Sequence, residues 1–273
     1  MGSPKGARVM GFSHKPSRLK LMMLLLVGFP LCLLAASRIG SVVPFEQPVA
    51  VVVLDAGHGG QDPGASSNWP FAPSGVLSEK DLTLELAVLV KEQLSKADPA
   101  VEILMTRDAD VFIPLDERAA YARKIDPGVE RSLVLVSIHV NSAASPEASG
   151  FEILMKQLTK KMRFLDSEAE DWQIARYATI SNTELNQALN RSNLLLAQFM
   201  QHALASAFPQ SRNRGVKEQD VWVLNASYVP SILVEVGFIS NAQDAQEMVS
   251  SSWKQVMALA MADGILEYIR VSR

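Results

Sequence analysis

Two histidines lie at or near the ends of apolar runs, a position in which an α/β enzyme can carry a ligand. His58 lies in a glycine-rich turn after the run Ala50–Asp55, and His139 lies near the end of the run Leu133–Val140. Both runs are nearly continuous in apolar residues, which predicts strands buried on both faces of a parallel sheet. The carboxyl ends of such strands form the ligand crevice of open α/β folds. A shared edge favours a metal site, although each histidine alone could be structural.

Two carboxylates could complete a hydrolytic site around these histidines. Glu79 begins a predicted helix after the loop 59–78, and catalytic zinc takes three protein ligands, with two histidines and a glutamate among the known sets. Glu79 could equally complement the helix dipole. Glu235 lies in the apolar run Ser231–Phe238, where a charge without a partner is costly. It is therefore either part of a buried ion pair or an acid and base toward a water molecule.

The charge of the chain is concentrated at its beginning. Residues 1–38 hold six of the 26 basic residues and no acidic residue, so the rest of the chain has 20 basic and 29 acidic residues and a net charge of about −9. This acidic body excludes nucleic acid as a partner, because phosphate binding needs concentrated Lys and Arg. The uncharged run 21–37 after the basic stretch predicts a signal peptide or an uncleaved N-terminal membrane anchor.

Either interpretation of the leader predicts export to the periplasm or cell envelope, with membrane contact only through an uncleaved leader. The single cysteine, Cys32, lies inside the leader. Metal ligands in the exported body must therefore come from His, Asp and Glu side chains.

Alternating strands and helices predict one α/β domain over residues 49–273, joined to the leader by a linker, 39–48. We expect three layers, α/β/α, with a mostly parallel central sheet. Ser78, with Asp81 three residues later, predicts a capping box on the first helix. The predicted strands are Ala50–Asp55, Val101–Met105, Leu133–Val140, Phe151–Met155, Val221–Leu224 and Ser231–Val236, and the predicted helices are Glu79–Lys96, Leu115–Ile125, Asn193–Phe208 and Trp253–Arg270.

Seven segments carry a resemblance to a known family: VVVLDAGHGGQDPGA (51–65), GVLSEKDLTLELA (75–87), TRDADVFIPLDERAAYA (106–122), VSIHVNSA (136–143), GFEIL (150–154), NRGVKEQDVWVL (213–224) and VPSILVEVGFISN (229–241). In this order they resemble the zinc-dependent N-acetylmuramoyl-L-alanine amidases of the amidase 3 family. The resemblance implies hydrolysis of peptidoglycan between N-acetylmuramic acid and L-alanine, in cell-wall remodelling or daughter-cell separation. It also implies Zn²⁺ held by His58, Glu79 and His139, and Glu235 as the acid and base toward a zinc-activated water.

Two further polar residues are candidates for supporting roles at this site. Asn141 could line the substrate groove or cap a loop, and Asp55 could orient a metal ligand or cap the turn after its strand. The chain departs from the family pattern in the inserted residues 66–75, which include Trp69, and in Arg123, where the family usually has Asn.

The polar segment 156–190 is predicted to be helical and could be a regulatory insertion. Some family members carry a covering helix at this place until a protein activator removes it. Glu168, Glu170 or Asp171 would then supply a carboxylate to the zinc; alternatively, the segment is a solvated surface helix. Two other functions remain open from the sequence: an exported zinc carboxypeptidase-like hydrolase, and a non-catalytic peptidoglycan-binding regulator.

Overall fold

The computed structural model describes Gly2, residues 44–128 and residues 130–272. The predicted signal peptide or membrane anchor, with Cys32, and residues 39–43 of the predicted linker therefore lie outside the described residues. In the part of the chain that is described, no helix has both the length and the apolar character needed to cross a membrane.

A six-stranded sheet forms the centre of the domain, in the order β4-β1-β5-β8-β6-β7. Strands β4, β1, β5 and β8 are parallel to one another, β6 is antiparallel to β8, and β7 is parallel to β6. The prediction of a mostly parallel sheet is confirmed. The strands are β1 (Val49–Ala56), β2 (Ser66–Asn68), β3 (Val76–Ser78), β4 (Glu102–Met105), β5 (Ser132–Asn141), β6 (Phe151–Lys156), β7 (Asn213–Gln219) and β8 (Ser231–Phe238).

Helices cover both faces of the sheet because successive residues of its central strands point to opposite faces. Val52 and Leu54 of β1 belong to the larger core, beneath α1, α4 and α7, whereas Val51 and Val53 belong to the smaller core, beneath α2 and α5. The predicted three layers are therefore confirmed. The helices are α1 (Glu79–Ala97), α2 (Leu115–Arg123), α3 (Asp171–Tyr177), α4 (Asn182–Ala207), α5 (Trp222–Asn225), α6 (Ala242–Met248) and α7 (Ser251–Val271).

The prediction of a strand at Val221–Leu224 is wrong. This apolar run forms the helical turn α5, which buries Val223 and Leu224 in the smaller core. The strand of this region is β7, Asn213–Gln219, whose residues are exposed or half-buried. An edge strand needs no apolar face and commonly carries charges, so its polar sequence did not resemble that of the buried strands.

The loop before α1 also differs from its prediction. Residues 66–75 contribute to a short hairpin in which Ser66 pairs with Ser78 and Asn68 with Val76. Ser78 is the N-cap of α1, but its hydroxyl donates to the side chain of Asp81 and makes no capping hydrogen bond. The predicted capping box is therefore not formed.

The polar segment 156–190 lies at the amino-terminal edge of the sheet, opposite His58 and His139. Only α3 and the first turns of α4 are helical within it. Phe164 packs against Phe45, which precedes β1, and against Tyr228, which precedes β8. This packing keeps the acidic residues of the segment away from the opposite edge, so the structure does not show the segment as a cover over the candidate metal site.

Arg123 anchors this segment. Its guanidinium is buried, lies over the ring of Tyr228 at 4.1 Å and pairs with the carboxylates of Asp166 and Glu168. Arg123 therefore fastens the segment to the domain.

We predict that Leu86→Ala lowers the free energy of unfolding by about 2–5 kcal/mol, the usual range for a buried leucine truncated to alanine. Leu86 is a fully buried residue of α1, the helix that presents Glu79. Denaturant unfolding of the purified protein measures the effect. Val88→Ala on the same helix is the control, because Val88 is 38% exposed and its truncation should change stability by about 0.5 kcal/mol or less. Equal losses in the two variants would contradict this packing of α1.

Candidate metal centre

Parallel pairing brings His58 and His139 to one edge of the sheet. Ala56, the last residue of β1, pairs with Ile138 of β5, and the amide of Gly57 donates to the carbonyl of Ile138 at 3.0 Å. His58 follows one residue later, beside His139. The two imidazole rings lie 5.1 Å apart, centroid to centroid, in an edge-to-face arrangement.

Glu79 reaches the histidines because the loop before α1 folds back on the start of the helix. The amides of Glu79 and Lys80 donate to the carbonyls of Ala65 and Pro63, at 2.8 and 3.2 Å. These bonds satisfy two of the helix-terminal N–H groups that lack a partner within the helix. The amide of Ala65 in turn donates to Oε2 of Glu79 at 2.8 Å. Backbone and side chain of Glu79 are therefore both fixed by the loop.

Three donor atoms converge at this point, one each from His58, Glu79 and His139, all within 4.8 Å of one another. Nε2 of His58 lies 3.1 Å from Oε2 of Glu79, and Nδ1 of His139 lies 2.9 Å from Oε1. Glu79 is 4% exposed, whereas the imidazole side chains are 25% and 19% exposed. Two imidazole nitrogens and a carboxylate oxygen that can be reached from solvent match the donor set of catalytic zinc.

The electrostatics of Glu79 favour its charged form. Burial by itself would raise the pKa of this carboxyl, but hydrogen bonds with His139 and His58 outweigh it and hold the pKa well below its usual range. For His58, burial lowers the pKa and the adjacent Glu79 carboxylate raises it, with a net increase. A carboxylate held ionised between two imidazoles is suited to binding a cation.

His58 is held in an unusual conformation. Its backbone has φ 60°, in the left-handed region that non-glycine residues rarely adopt. Its Nδ1 lies 2.8 Å from Oδ2 of Asp62, which leaves Nε2 to face Glu79. Sequence analysis missed Asp62; the signal available was a carboxylate four residues after the histidine in the same turn. Such a partner sets the tautomer and orientation of a metal-binding histidine.

Two buried arginines fix the backbone of the turn. Arg118 donates to the carboxylate of Asp55 at 2.9 Å, to the carbonyl of Ala56 at 2.6 Å and to the carbonyl of His58. Arg107 donates to the carbonyls of Ala56 and Gly57 at 2.9 and 2.8 Å. Both arginines lie in a segment that resembles the family, yet neither was identified as a site residue from the sequence.

Asp55 lies behind the site and makes no hydrogen bond to either imidazole. It is 1% exposed and accepts from the hydroxyls of Thr106 and Ser137 at 2.7 and 2.6 Å, in addition to Arg118. Burial would raise its pKa, but Arg118 and the two hydroxyls lower it, and the carboxyl remains ionised. Asp55 therefore supports Arg118, which in turn holds the carbonyl of His58.

Glu235 is the residue of β8 that pairs with His139. The side chain is partly exposed, but its Oε2 is buried and has no hydrogen-bond partner among the described residues. Burial raises the pKa of Glu235 to about 7; the carboxylates of Glu79 and Glu152 add to the increase, and His139 opposes it. A carboxyl group with a pKa near neutrality can both accept and donate a proton.

Asn141 lies at the end of β5 and faces the next strands of the sheet. Its Nδ2 donates to Oε1 of Glu152 at 3.0 Å, and its Oδ1 accepts from the amide of Ser142 at 2.8 Å. Asn141 therefore makes the local loop contact and also holds a carboxylate beside the site. Sequence analysis did not identify Glu152.

Comparison with known proteins gives one consistent result. A family model described as N-acetylmuramoyl-L-alanine amidase matches residues 52–267. The chain is 34% identical to the uncharacterized protein YqiI of Bacillus subtilis, over 80% of this chain and 84% of that protein. It is 33% identical to N-acetylmuramoyl-L-alanine amidase AmiC of Neisseria meningitidis, over 81% of this chain and 53% of that protein. The chain thus spans about half the length of several curated relatives that it matches.

A solved structure agrees with these sequence relatives. The N-acetylmuramoyl-L-alanine amidase from Clostridium difficile 630 superposes with a TM-score of 0.61 at 28% sequence identity. The match covers 82% of this chain and 98% of the Clostridium difficile chain. The mixed α/β fold with its six-stranded sheet is therefore that of known amidases.

We predict that Gly64→Ala weakens zinc binding by about tenfold or more, the usual loss when support around a metal ligand is disturbed. A Cβ atom on Gly64 would lie 2.6 Å from Oε2 of Glu79 and 2.6 Å from Cδ2 of His58. Competition with a chromophoric chelator measures the affinity. Gly75→Ala is the matched control: Gly75 has a similar φ, 74° against 63°, but its added Cβ would meet nothing within 4 Å. Equal zinc affinity in the two variants would contradict the proximity of Gly64 to the ligands.

Proposed function

The chain belongs to the N-acetylmuramoyl-L-alanine amidase family, and we propose that it hydrolyses the amide bond between N-acetylmuramic acid and L-alanine in peptidoglycan. The single observation that carries this proposal is the convergence of His58, Glu79 and His139 beside Glu235. A non-catalytic regulator would have no need for this complete set. The carboxypeptidase-like alternative has no observation in its favour.

The three converging side chains would hold one zinc ion. When bound, zinc would polarise the scissile carbonyl and make a water molecule more acidic. Glu79 would balance part of the charge of the ion, since its carboxyl stays ionised between the imidazoles. Asp62 would keep Nε2 of His58 directed to the ion, since it engages the other ring nitrogen. The tie between Arg118 and the carbonyl of His58 would hold the turn in place.

Glu235 would transfer the proton during hydrolysis. Its pKa of about 7 allows it to take a proton from the attacking water and to pass that proton to the departing nitrogen of L-alanine. Nitrogen must be protonated as the bond breaks, because an amide anion is a poor leaving group. One carboxyl group near neutrality performs both steps.

The place of action follows from the substrate and the sequence. Peptidoglycan lies outside the cytoplasmic membrane, and the basic and apolar leader of residues 1–38 supports export to the cell envelope. A protein activator was expected only because segment 156–190 could cover the site. Since that segment packs at the opposite edge, around Phe45 and Tyr228, its position gives no reason to propose an activator.

Digestion of purified peptidoglycan is expected to release stem peptides that begin with L-alanine and to leave glycan strands with free lactyl carboxyl groups. Mass spectrometry of the products identifies the bond that is cut. Dialysis against a chelator should abolish release, and stoichiometric Zn²⁺ should restore it, because the three side chains would lose and regain the ion. Cleavage at any other bond, or full activity after complete metal removal, would refute the proposed reaction.

Glu235→Gln is expected to reduce kcat by about 10²–10⁴-fold, the usual contribution of a general acid and base. The amide cannot accept and return the proton, which lowers kcat. It fills the same volume as the carboxyl group, so zinc content should be unchanged. Glu92→Gln on the exposed face of α1 is the control and should retain full activity. Wild-type kcat in the Glu235 variant would rule out this residue as the proton carrier.

A further inference from the structure

A second group of charges lies on the same edge of the sheet, formed by Glu152, Arg214 and Lys217 and here called the cationic rim. Glu152 is 6% exposed. Its Oε2 accepts from Nε of Arg214 at 2.8 Å and also from Nζ of Lys217. Its other oxygen accepts from Asn141 at 3.0 Å. Two cations share one carboxylate, so the rim carries an excess of one positive charge.

The rim continues the row of residues that begins at the candidate metal centre. His139 pairs with Glu235 across β5 and β8, and Glu235 pairs with Glu152 across β8 and β6. Residues directly opposite each other in adjacent strands share a face of the sheet. Since adjacent strands lie about 4.8 Å apart, Glu152 stands roughly 10 Å along the sheet from His139. The two cations of the rim lie on β7, one strand farther.

A local irregularity of β7 directs Arg214 toward this row. Arg214 and Gly215 together lie opposite the single residue Glu152, because the register of β6 and β7 shifts between Phe151 and Ile153. Gly215 supplies the positive φ of 85° within this bulge. Such bulges redirect side chains and often occur beside functional sites. The guanidinium of Arg214 also lies over the ring of Phe238 at 4.8 Å, which fixes its plane.

The rim is built so that its donors remain available to a ligand. Arg214 uses only Nε for Glu152, and its terminal nitrogens make no hydrogen bond within residues 44–128 and 130–272. The side chains of Arg214 and Lys217 are 23% and 40% exposed. Burial would raise the pKa of Glu152, but Lys217 and Arg214 lower it, so the carboxylate stays ionised and holds both cations in place. Fixed, half-exposed cations of this kind bind carboxylates by charge-assisted hydrogen bonds.

We propose that the cationic rim binds the carboxylate carried by the second residue of the stem peptide, the residue that follows L-alanine. This inference rests on the proposed function. The glycan cannot supply the group, because the only carboxyl of N-acetylmuramic acid is consumed in the scissile amide. In an extended peptide, a carboxylate on the second residue lies roughly 7 Å from the scissile nitrogen. Both cations contact Glu152, which stands roughly 10 Å along the sheet from His139, and the second residue of an extended stem peptide covers most of that span.

The test uses two synthetic glycan–pentapeptide fragments that differ only at the second residue. The carboxyl group of this residue that is not used in the peptide chain is free in one fragment and an amide in the other. The wild-type enzyme is expected to have a kcat/KM about tenfold or more higher for the free acid, as a charged hydrogen bond to a ligand contributes. In Arg214→Gln and Lys217→Gln the preference should fall below about threefold, mainly through a higher KM for the acid.

Lys160→Gln is the matched control, because Lys160 is also a half-exposed lysine paired with a carboxylate, that of Asp220, but lies at the opposite edge of the sheet. This variant should keep the wild-type preference. Zinc content and circular dichroism verify each variant. If Arg214→Gln does not fold, Lys217→Gln remains, since its side chain is more exposed and its loss leaves Arg214 on Glu152.

The outcomes distinguish a failure of the proposed amidase function from a failure of the rim proposal. If the wild-type enzyme cleaves neither fragment nor purified peptidoglycan, the proposed function fails and the role of the rim fails with it. If it cleaves both fragments equally well, the amidase function stands and the rim proposal is overturned. A strong preference that survives in both rim variants would also overturn it. Calorimetric titration with the product dipeptides, acid against amide, measures the same preference without catalysis.

Discussion

The parallel register of β1, β5 and β8 is the constraint on which the candidate site depends. Ala56 pairs with Ile138, and His139 pairs with Glu235, so the ends of three separate strands meet at one edge. A slip of one residue in any pair would turn the chemically important side chain to the other face of the sheet. Helix packing on both faces resists such a slip, because alternate residues of β1 belong to different cores. The burial of the strands therefore also secures the geometry of the site.

Three carboxylates lie close together at this edge, and the structure gives each a different environment. For all three, burial acts to raise the pKa. Imidazoles reverse this effect at Glu79, and an ammonium and a guanidinium reverse it at Glu152. At Glu235 the opposing effect of His139 does not outweigh burial, and the pKa rises to about 7. Groups whose environments separate their pKa values in this way can divide the roles of ligand, support and proton carrier.

Most of the fold could be predicted because buried elements leave a local pattern in the sequence. The continuous apolar runs of β1 and β5 and the helical spacing of α1 identified these elements to within a residue or two. The pattern failed where the burial of a segment does not match its secondary structure. Strand β7 is polar because it is an edge strand, and the apolar run after it is a helical turn. The position of segment 156–190 could not be predicted from the sequence either, because Arg123 and Phe45 hold the segment through long-range contacts.

For the candidate site, the sequence by itself identified the residues whose chemistry conflicts with their surroundings. His58 and His139 stand at the ends of apolar strands, and Glu235 is a charge inside one. Their positions follow from strand direction alone, because parallel strands end at the same edge. The tertiary structure decided the rest, including the contacts of Glu79 with both imidazoles and the support from Asp62, Arg107, Arg118 and Glu152. These contacts join loops and side chains that are far apart in the sequence, and local sequence patterns do not predict such long-range contacts.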